Sequence, residues 1–182
     1  MRIISGKFKG KKIKYNNLQN VRPTTDRTKE SLFNILNQYF VFYDISGLDL
    51  FSGSGNISYE LASRGVKKII SVEKNVKCVK FISNFSKSLD IKLDIVNYPV
   101  IQFLEITNLR FNLIFADPPY SYSKRETDAL IDIIFGKKIL KKNGILVIEH
   151  HKKKIISNNE FLYDKRVYGT NSLSFFKKKC RP

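Results

Sequence analysis

The sequence predicts an α/β chain built on a doubly wound, mainly parallel sheet. Three observations predict it. Short apolar, β-branched runs alternate with helical patterns between residues 48 and 149. One of those runs, Leu48-Asp49-Leu50, leads straight into the glycine turn Phe51-Ser52-Gly53-Ser54-Gly55-Asn56 and a following helix. The tail then drops the alternation and reads as two strands around Gly169-Thr170-Asn171, an antiparallel hairpin closing one edge.

In chain order, residues 2–14 place Gly6 and Gly10 among basic residues, with Ile3, Ile4, Phe8 and Ile13 between them. This is a short hairpin or extended arm with a cationic face, or else a frayed terminus. Arg22-Pro23-Thr24-Thr25-Asp26 is a stop-and-start signal, because proline disfavours helix before it and Thr or Asp caps the helix after it. Leu32, Phe33, Ile35, Leu36, Tyr39 and Phe40 then recur at helical spacing and predict one buried face. Arg27 and Lys29 fall in the first turn of that helix, where cations oppose the dipole. That penalty points to a functional role for Arg27, with a solvated face as the alternative.

After the glycine turn, a helix is expected over 57–64, a strand over 67–73 and a helix over 75–88. A third strand over 92–96, a helix over 100–109 and a fourth strand over 111–116 follow. The fourth strand runs into Asp117-Pro118-Pro119-Tyr120, and a helix over 124–135 precedes Asn143-Gly144 and an apolar strand over 145–149. The hairpin strands are expected over 160–168 and 172–178. Neither a repeat nor a linker interrupts the chain. One domain over 1–182 is expected, divided into a basic arm over 1–25 and a core over 26–182.

Composition narrows the function classes. An apolar share of 42% is globular, and no run approaches a membrane span. The two cysteines, Cys78 and Cys180, form no cluster, so a cytosolic, metal-free protein is expected. Adjacent His150 and His151 would point to opposite faces of a strand and could not share a metal. Thirty-three Lys and Arg against 16 Asp and Glu give a net charge of +17. Such a field favours a polyanionic partner, nucleic acid first, although AT-rich coding bias would also enrich lysine.

The glycine turn separates the cofactor candidates. A dinucleotide site wants G-x-G-x-x-G, and here Ser58 stands where the third glycine belongs. No Gly-Lys-Ser/Thr follows, which excludes a P-loop. What remains is D-x-x-x-G-x-G with Glu73 at the end of the next strand, placed to accept both hydroxyls of a ribose or simply to cap a helix. A loop with no pyrophosphate to accommodate favours S-adenosylmethionine over NAD.

Asp117-Pro118-Pro119-Tyr120 sits where open parallel sheets bind ligands, at the carboxyl end of a strand. The prolines stiffen the backbone and leave carbonyls as acceptors, Asp117 adds a carboxylate, and Tyr120 a flat stacking face. These parts fit a planar amine whose lone pair is delocalised into a ring. Two acceptors, Asp117 and a Pro118 or Pro119 carbonyl, would localise that lone pair toward a methyl donor. Alignment then does the catalytic work, for which positioning is worth about 7–11 kcal/mol.

Together, Asp49-Leu50-Phe51-Ser52-Gly53-Ser54-Gly55, Glu73 and Asp117-Pro118-Pro119-Tyr120 resemble class I S-adenosylmethionine methyltransferases that modify amino groups. Arg2-Ile3-Ile4-Ser5-Gly6, Arg22-Pro23-Thr24-Thr25-Asp26-Arg27 and Glu30-Ser31-Leu32-Phe33-Asn34 are similar to the RsmD family of 16S ribosomal RNA guanine methyltransferases. Ser63-Arg64-Gly65 and Lys165-Arg166-Val167-Tyr168-Gly169 match as well, so the resemblance spans nearly the whole chain. It implies a Rossmann-like methyltransferase fold with a basic N-terminal extension. It also implies a monomeric cytoplasmic enzyme that methylates the 2-amino group of one guanine in 16S ribosomal RNA, within an assembled small subunit.

By this resemblance Asp49, Gly53, Gly55 and Glu73 would hold S-adenosylmethionine, with Phe51, Ser54 and Lys74 in the same loops. Asp117, Pro118, Pro119 and Tyr120 would grip a flipped-out guanine. Arg2, Lys7, Lys9, Lys11, Arg22 and Arg27 would contact RNA phosphates. One departure stands out: Pro99 occupies the slot of the Asp or Asn that reads adenine, leaving that task to Asn97 or to backbone. The competing readings are a DNA adenine methyltransferase, a protein glutamine methyltransferase and a non-catalytic RNA-binding assembly protein.

Overall fold

The computed structural model describes residues 1–14, 25–154, 156 and 160–178. Among these residues, seven strands form one sheet. They are β1 (Ser46–Leu50), β2 (Lys68–Val72), β3 (Asp94–Val96), β4 (Phe111–Ala116), β5 (Leu140–His151), β6 (Leu162–Tyr168) and β7 (Asn171–Phe176). Their order is β3-β2-β1-β4-β5-β7-β6. The pairs from β3 to β5 are parallel, and β7 pairs antiparallel with both β5 and β6. The strand order switches direction between β1 and β4, so the carboxyl ends of those strands flank the crevice where such sheets bind ligands.

The helices are α1 (Asp26–Leu36), α2 (Asn56–Ser63), α3 (Val76–Ser88), α4 (Val100–Ile106) and α5 (Lys124–Gly136). Local chemistry starts each of the longer ones. The Thr25 hydroxyl accepts the Thr28 N–H, Asn75 caps α3, and Ser123 with Glu126 forms a reciprocal capping box on α5. Alternation along the strands divides the core. Leu113, Phe115 and Val147 pack under Leu32, Phe33 and Leu61, whereas Ile114, Ala116 and Ile148 pack under Leu130 and Ile134.

Several boundaries differ from those expected. The last strand of the parallel set begins at Leu140 rather than Ile145, because Asn143-Gly144 is a bulge within it. Asn143 takes φ 62°, and a Cβ on Gly144 would lie 2.9 Å from the Lys141 carbonyl. α4 stops at Ile106, three residues early, and β3 starts at Asp94, two residues late. α1 stops at Leu36, and Tyr39, expected on its buried face, is 46% exposed.

Residues 1–14 fold back as a clipped hairpin, with an antiparallel bridge between Arg2 and Lys12. This is a docked element rather than a frayed end. Ile3 and Ile13 are buried against Tyr59, Ile82 and Ile91 of α2, α3 and the following loop. Glu60 accepts the Ile4 and Ser5 N–H groups at 2.8 and 3.1 Å, and Ser63 accepts those of Lys7 and Phe8. Gly6 lies so close to α2 that a Cβ would overlap the Ser63 carbonyl at 1.8 Å.

Candidate active site

The glycine turn is held in shape by its neighbours before any ligand arrives. Gly53 and Gly55 take φ of 55° and 79°, and Phe51, a non-glycine residue, takes 58°. Left-handed backbone costs an L-residue roughly 1–2 kcal/mol, strain that is commonly kept where a loop must meet a ligand. Phe51 is held there by an edge-on contact with Tyr122 at 5.2 Å. The Ser52 hydroxyl donates toward the Asp49 and Val72 carbonyls at 2.9 and 3.1 Å, tying the turn to β1 and β2.

Two buried carboxylates organise this corner. Asp49 accepts both the Ser58 N–H at 3.1 Å and its hydroxyl at 2.6 Å, fastening the strand end to α2. Burial pushes its carboxyl up to about 7, against the pull of Ser58. Glu73 accepts the Gly53 N–H at 2.9 Å on one oxygen and the Asn75 N–H at 2.8 Å on the other. A carboxylate has about four acceptor sites, so holding the loop uses only half of this one's capacity and fits a ribose diol on the other half.

Asp49, Phe51, Ser54, Glu73 and Lys74 line a cavity of about 680 Å³, with Gly53 among them. Gly55 and Asn97 do not line it. Gly55 is the left-handed cap of α2, packed so closely that a Cβ would lie 2.8 Å from the Tyr59 ring. Asn97 is exposed, and its amide donates to the Glu73 and Lys74 carbonyls at 2.9 and 3.0 Å. It clamps the loop from behind. Pro99 does line the cavity, followed by Val100 and Ile101 at the start of α4, which gives that wall an apolar surface.

Asp117, Pro118, Pro119 and Tyr120 form the facing wall of the same cavity. The Asp117 N–H reaches the Leu50 carbonyl at 3.5 Å, so this loop starts beside the strand that carries the glycine turn. The Pro119 carbonyl accepts the Tyr122 N–H at 2.8 Å, which closes the turn and occupies one of that carbonyl's two lone pairs. Tyr120 is 59% exposed and meets His151 edge-on at 6.2 Å. Lys154 donates to the Tyr122 carbonyl at 2.8 Å, and burial lowers its pKa.

Sequence patterns missed part of this wall. Glu149 and Asn171 line it, joined by a 2.6 Å hydrogen bond from the Asn171 amide. His150 pairs with the Ser174 hydroxyl at 2.9 Å, and burial lowers its pKa to about 4, so the ring is neutral. The signal for Glu149 was available: like Glu73, it is an acid ending an apolar strand. Altogether Asp49, Glu73, Glu105, Asp117 and Glu149 line the cavity against Lys74 and Lys154. A chain of net charge +17 therefore encloses an acidic pocket.

The described cations expected to contact RNA lie outside this cavity. Lys7, Lys9, Lys11 and Arg27 are exposed, and Arg2 pairs with Asp26 at 3.3 Å. Arg22 lies outside the described residues. The other first-turn cation, Lys29, is wholly buried. Its ammonium donates to the Arg2 carbonyl and Asn56 side chain and pairs with Glu60 at 3.2 Å. Among the described residues no cluster of His, Cys, Asp or Glu could hold a metal ion, and no helix is long and apolar enough to cross a membrane.

The family described as "Conserved hypothetical protein 95", the RsmD family, matches residues 1–177. The chain belongs to that family. It is 33% identical over 189 residues to "Putative rRNA methyltransferase YlbH" of Bacillus subtilis, covering 98% of this chain and 100% of that one. It is 34% identical over 184 residues to "Ribosomal RNA small subunit methyltransferase D" of Buchnera aphidicola, covering 98% and 92%. Among solved structures, a hypothetical protein of Thermus thermophilus superposes with a TM-score of 0.83 at 28% identity, covering 98% of this chain and 99% of that one. The fold is thus that of the class I methyltransferases, as the sequence motifs imply.

Proposed function

We propose that this protein transfers a methyl group from S-adenosylmethionine to the 2-amino group of a guanine in 16S ribosomal RNA. The observation that carries this reading is the acidic cavity inside a basic protein, with the glycine turn and Glu73 on one wall and Asp117 to Tyr120 on the other. Carboxylates in a confined cleft concentrate positive charge, which suits a sulfonium, and they accept the N–H groups of a neutral base. The basic exterior suits the phosphates around that base. The names of the relatives supply the RNA class.

S-adenosylmethionine, when bound, supplies an electrophilic methyl group on a positively charged sulfur. The chain's own residues do the rest. Glu73 presents a carboxylate to the ribose hydroxyls, and Pro99 with Ile101 offers an apolar wall to the adenine. Asp117 and the Pro118 carbonyl accept the two amine hydrogens, localising on nitrogen the lone pair otherwise delocalised into the ring and aiming it at the methyl group. Tyr120 stacks on the extruded base, whose removal from its stack costs a few kcal/mol. Methylation would leave the nitrogen cationic beside Asp117, and that nitrogen would shed one proton toward solvent. Exposed Lys7, Lys9, Lys11 and Arg27 contact phosphates, and the enzyme works as a cytoplasmic monomer on assembled small subunits.

Purified protein with methyl-labelled S-adenosylmethionine is expected to label guanine N2 in small subunits that lack the modification. Label on adenine or on protein would overturn the substrate assignment. Asp117→Ala is expected to abolish transfer while cofactor binding, measured by calorimetry, persists. Full activity in that variant would remove Asp117 from the mechanism.

A further inference from the structure

Glu149 carries an inference beyond the methyl-transfer chemistry, although it rests on the guanine reading above. Parallel pairing brings Ala116 level with Ile148, so the next residues, Asp117 and Glu149, are neighbours where the β4–β5 ladder ends. Adjacent strands lie about 4.8 Å apart, and positions level across a ladder project to the same face of the sheet. Both residues line the cavity, and Glu149 is 2% exposed. Asn171, at the start of β7 and level with His151, donates to the Glu149 Oε1 at 2.6 Å and fixes the carboxylate from the antiparallel side. No step of methyl transfer uses this pair.

The bases that carry an exocyclic amine differ beside that amine. Guanine has a ring N1–H, a donor, on one side of its amine, with N3 on the other. Adenine at N1 and cytosine at N3 have a lone pair. When Asp117 and the Pro118 carbonyl hold the amine, the adjacent ring position comes next to whatever group stands beside Asp117. In this fold that group is a buried carboxylate, which only accepts hydrogen bonds while ionised. It matches a ring N–H and repels a ring lone pair. We infer that Glu149, oriented by Asn171, is the residue that selects guanine over the other amine-bearing bases by accepting its N1–H. A site that hydrogen-bonds a substrate group rejects analogues lacking it far more strongly than a merely shaped pocket does.

The discriminating probe is 2-aminopurine, which keeps the 2-amino group of guanine but has a lone pair at N1. Unmethylated small-subunit RNA carrying guanine or 2-aminopurine at the labelled position is compared by kcat/KM. The full-length wild type is expected to prefer guanine by at least about 100-fold. Glu149→Gln, whose amide can donate to a ring lone pair, is expected to cut that preference at least tenfold. Asn171→Ala, which leaves the carboxylate in place but releases its orientation, is expected to shift the ratio in the same direction by a smaller factor. It serves as the test if Glu149→Gln does not fold. An unchanged ratio in the folded variants overturns this inference alone. Absence of transfer to guanine by the wild type overturns the substrate reading and this inference with it.

Discussion

Glu60 is the acid on which the most structure converges, and Glu60→Gln tests whether the N-terminal hairpin is held by charge. The wild-type carboxylate, fully buried, takes four donors: the Ile4 and Ser5 N–H groups, the Lys29 ammonium at 3.2 Å and the Arg64 guanidinium at 2.9 Å. Four donors fill its acceptor sites. Glutamine keeps one oxygen and turns the other into an NH₂ group facing two of those donors. It also leaves the buried Lys29 and the partly buried Arg64 without their carboxylate. Breaking a buried pair by removing one partner costs about 3–5 kcal/mol. For a chain of this length that is a fall in Tm of roughly 6–20 °C.

The pH dependence adds a second, independent signature. Burial already lowers the Lys29 pKa below 10.5, and Glu60 is the chief group opposing that shift. A folded value below the unfolded one means the unfolded chain binds more protons, so stability rises with pH between the two and is lost as pH falls. Removing Glu60 widens that interval downward. The deficit of Glu60→Gln relative to wild type is therefore expected to shrink as urea unfolding is moved from neutral pH up toward the ordinary lysine value of 10.5. Amide exchange at Ile4, Ser5 and Phe8 is expected to accelerate in the variant. A deficit under about 1 kcal/mol, the worth of an exposed pair, with these amides still protected would refute the reasoning.

Three further outcomes follow from the same geometry. Glu73→Gln weakens an acceptor that serves both the loop and the ribose, so calorimetry is expected to show a roughly 10–100-fold loss of S-adenosylmethionine affinity, the worth of one charged hydrogen bond; a change within twofold would contradict it. His150, its pKa lowered from 6.5 to about 4 by burial, binds its proton more weakly folded than unfolded, so the protein loses up to roughly 3 kcal/mol as pH falls through that interval. His150→Gln is expected to flatten this slope in urea titrations, and an unaltered slope would assign it to other groups. Changing Lys7, Lys9 and Lys11 together to Gln is expected to reduce the slope of log RNA affinity against log salt by about 2–3. An unchanged slope would leave the hairpin as scaffold, whereas deleting residues 1–14 would also strip the core of Ile3 and Ile13.

How much the sequence disclosed depended on whether the cause of a feature was local. The glycine turn, the Asp-Pro-Pro-Tyr loop and the alternation of strands and helices are short-range patterns, and the structure places the two loops on one cavity. The bulge at Asn143-Gly144 was hidden because its turn chemistry also suits the break before a strand. Lys29 shows the opposite case. A cation in the first helical turn is unfavourable by itself, and that penalty was assigned to its neighbour Arg27, which proves exposed. The compensation lies 31 residues on, at Glu60 in another helix, and no periodicity connects them. Glu149 was passed over for a related reason. An acid ending an apolar strand stands out at Glu73 because a glycine turn precedes it, yet at Glu149 only the β4–β5 register puts it beside Asp117. An acid at the carboxyl end of any strand in such a sheet has the same claim on the cavity, whatever motif accompanies it, because the parallel ladder delivers all those ends to one edge.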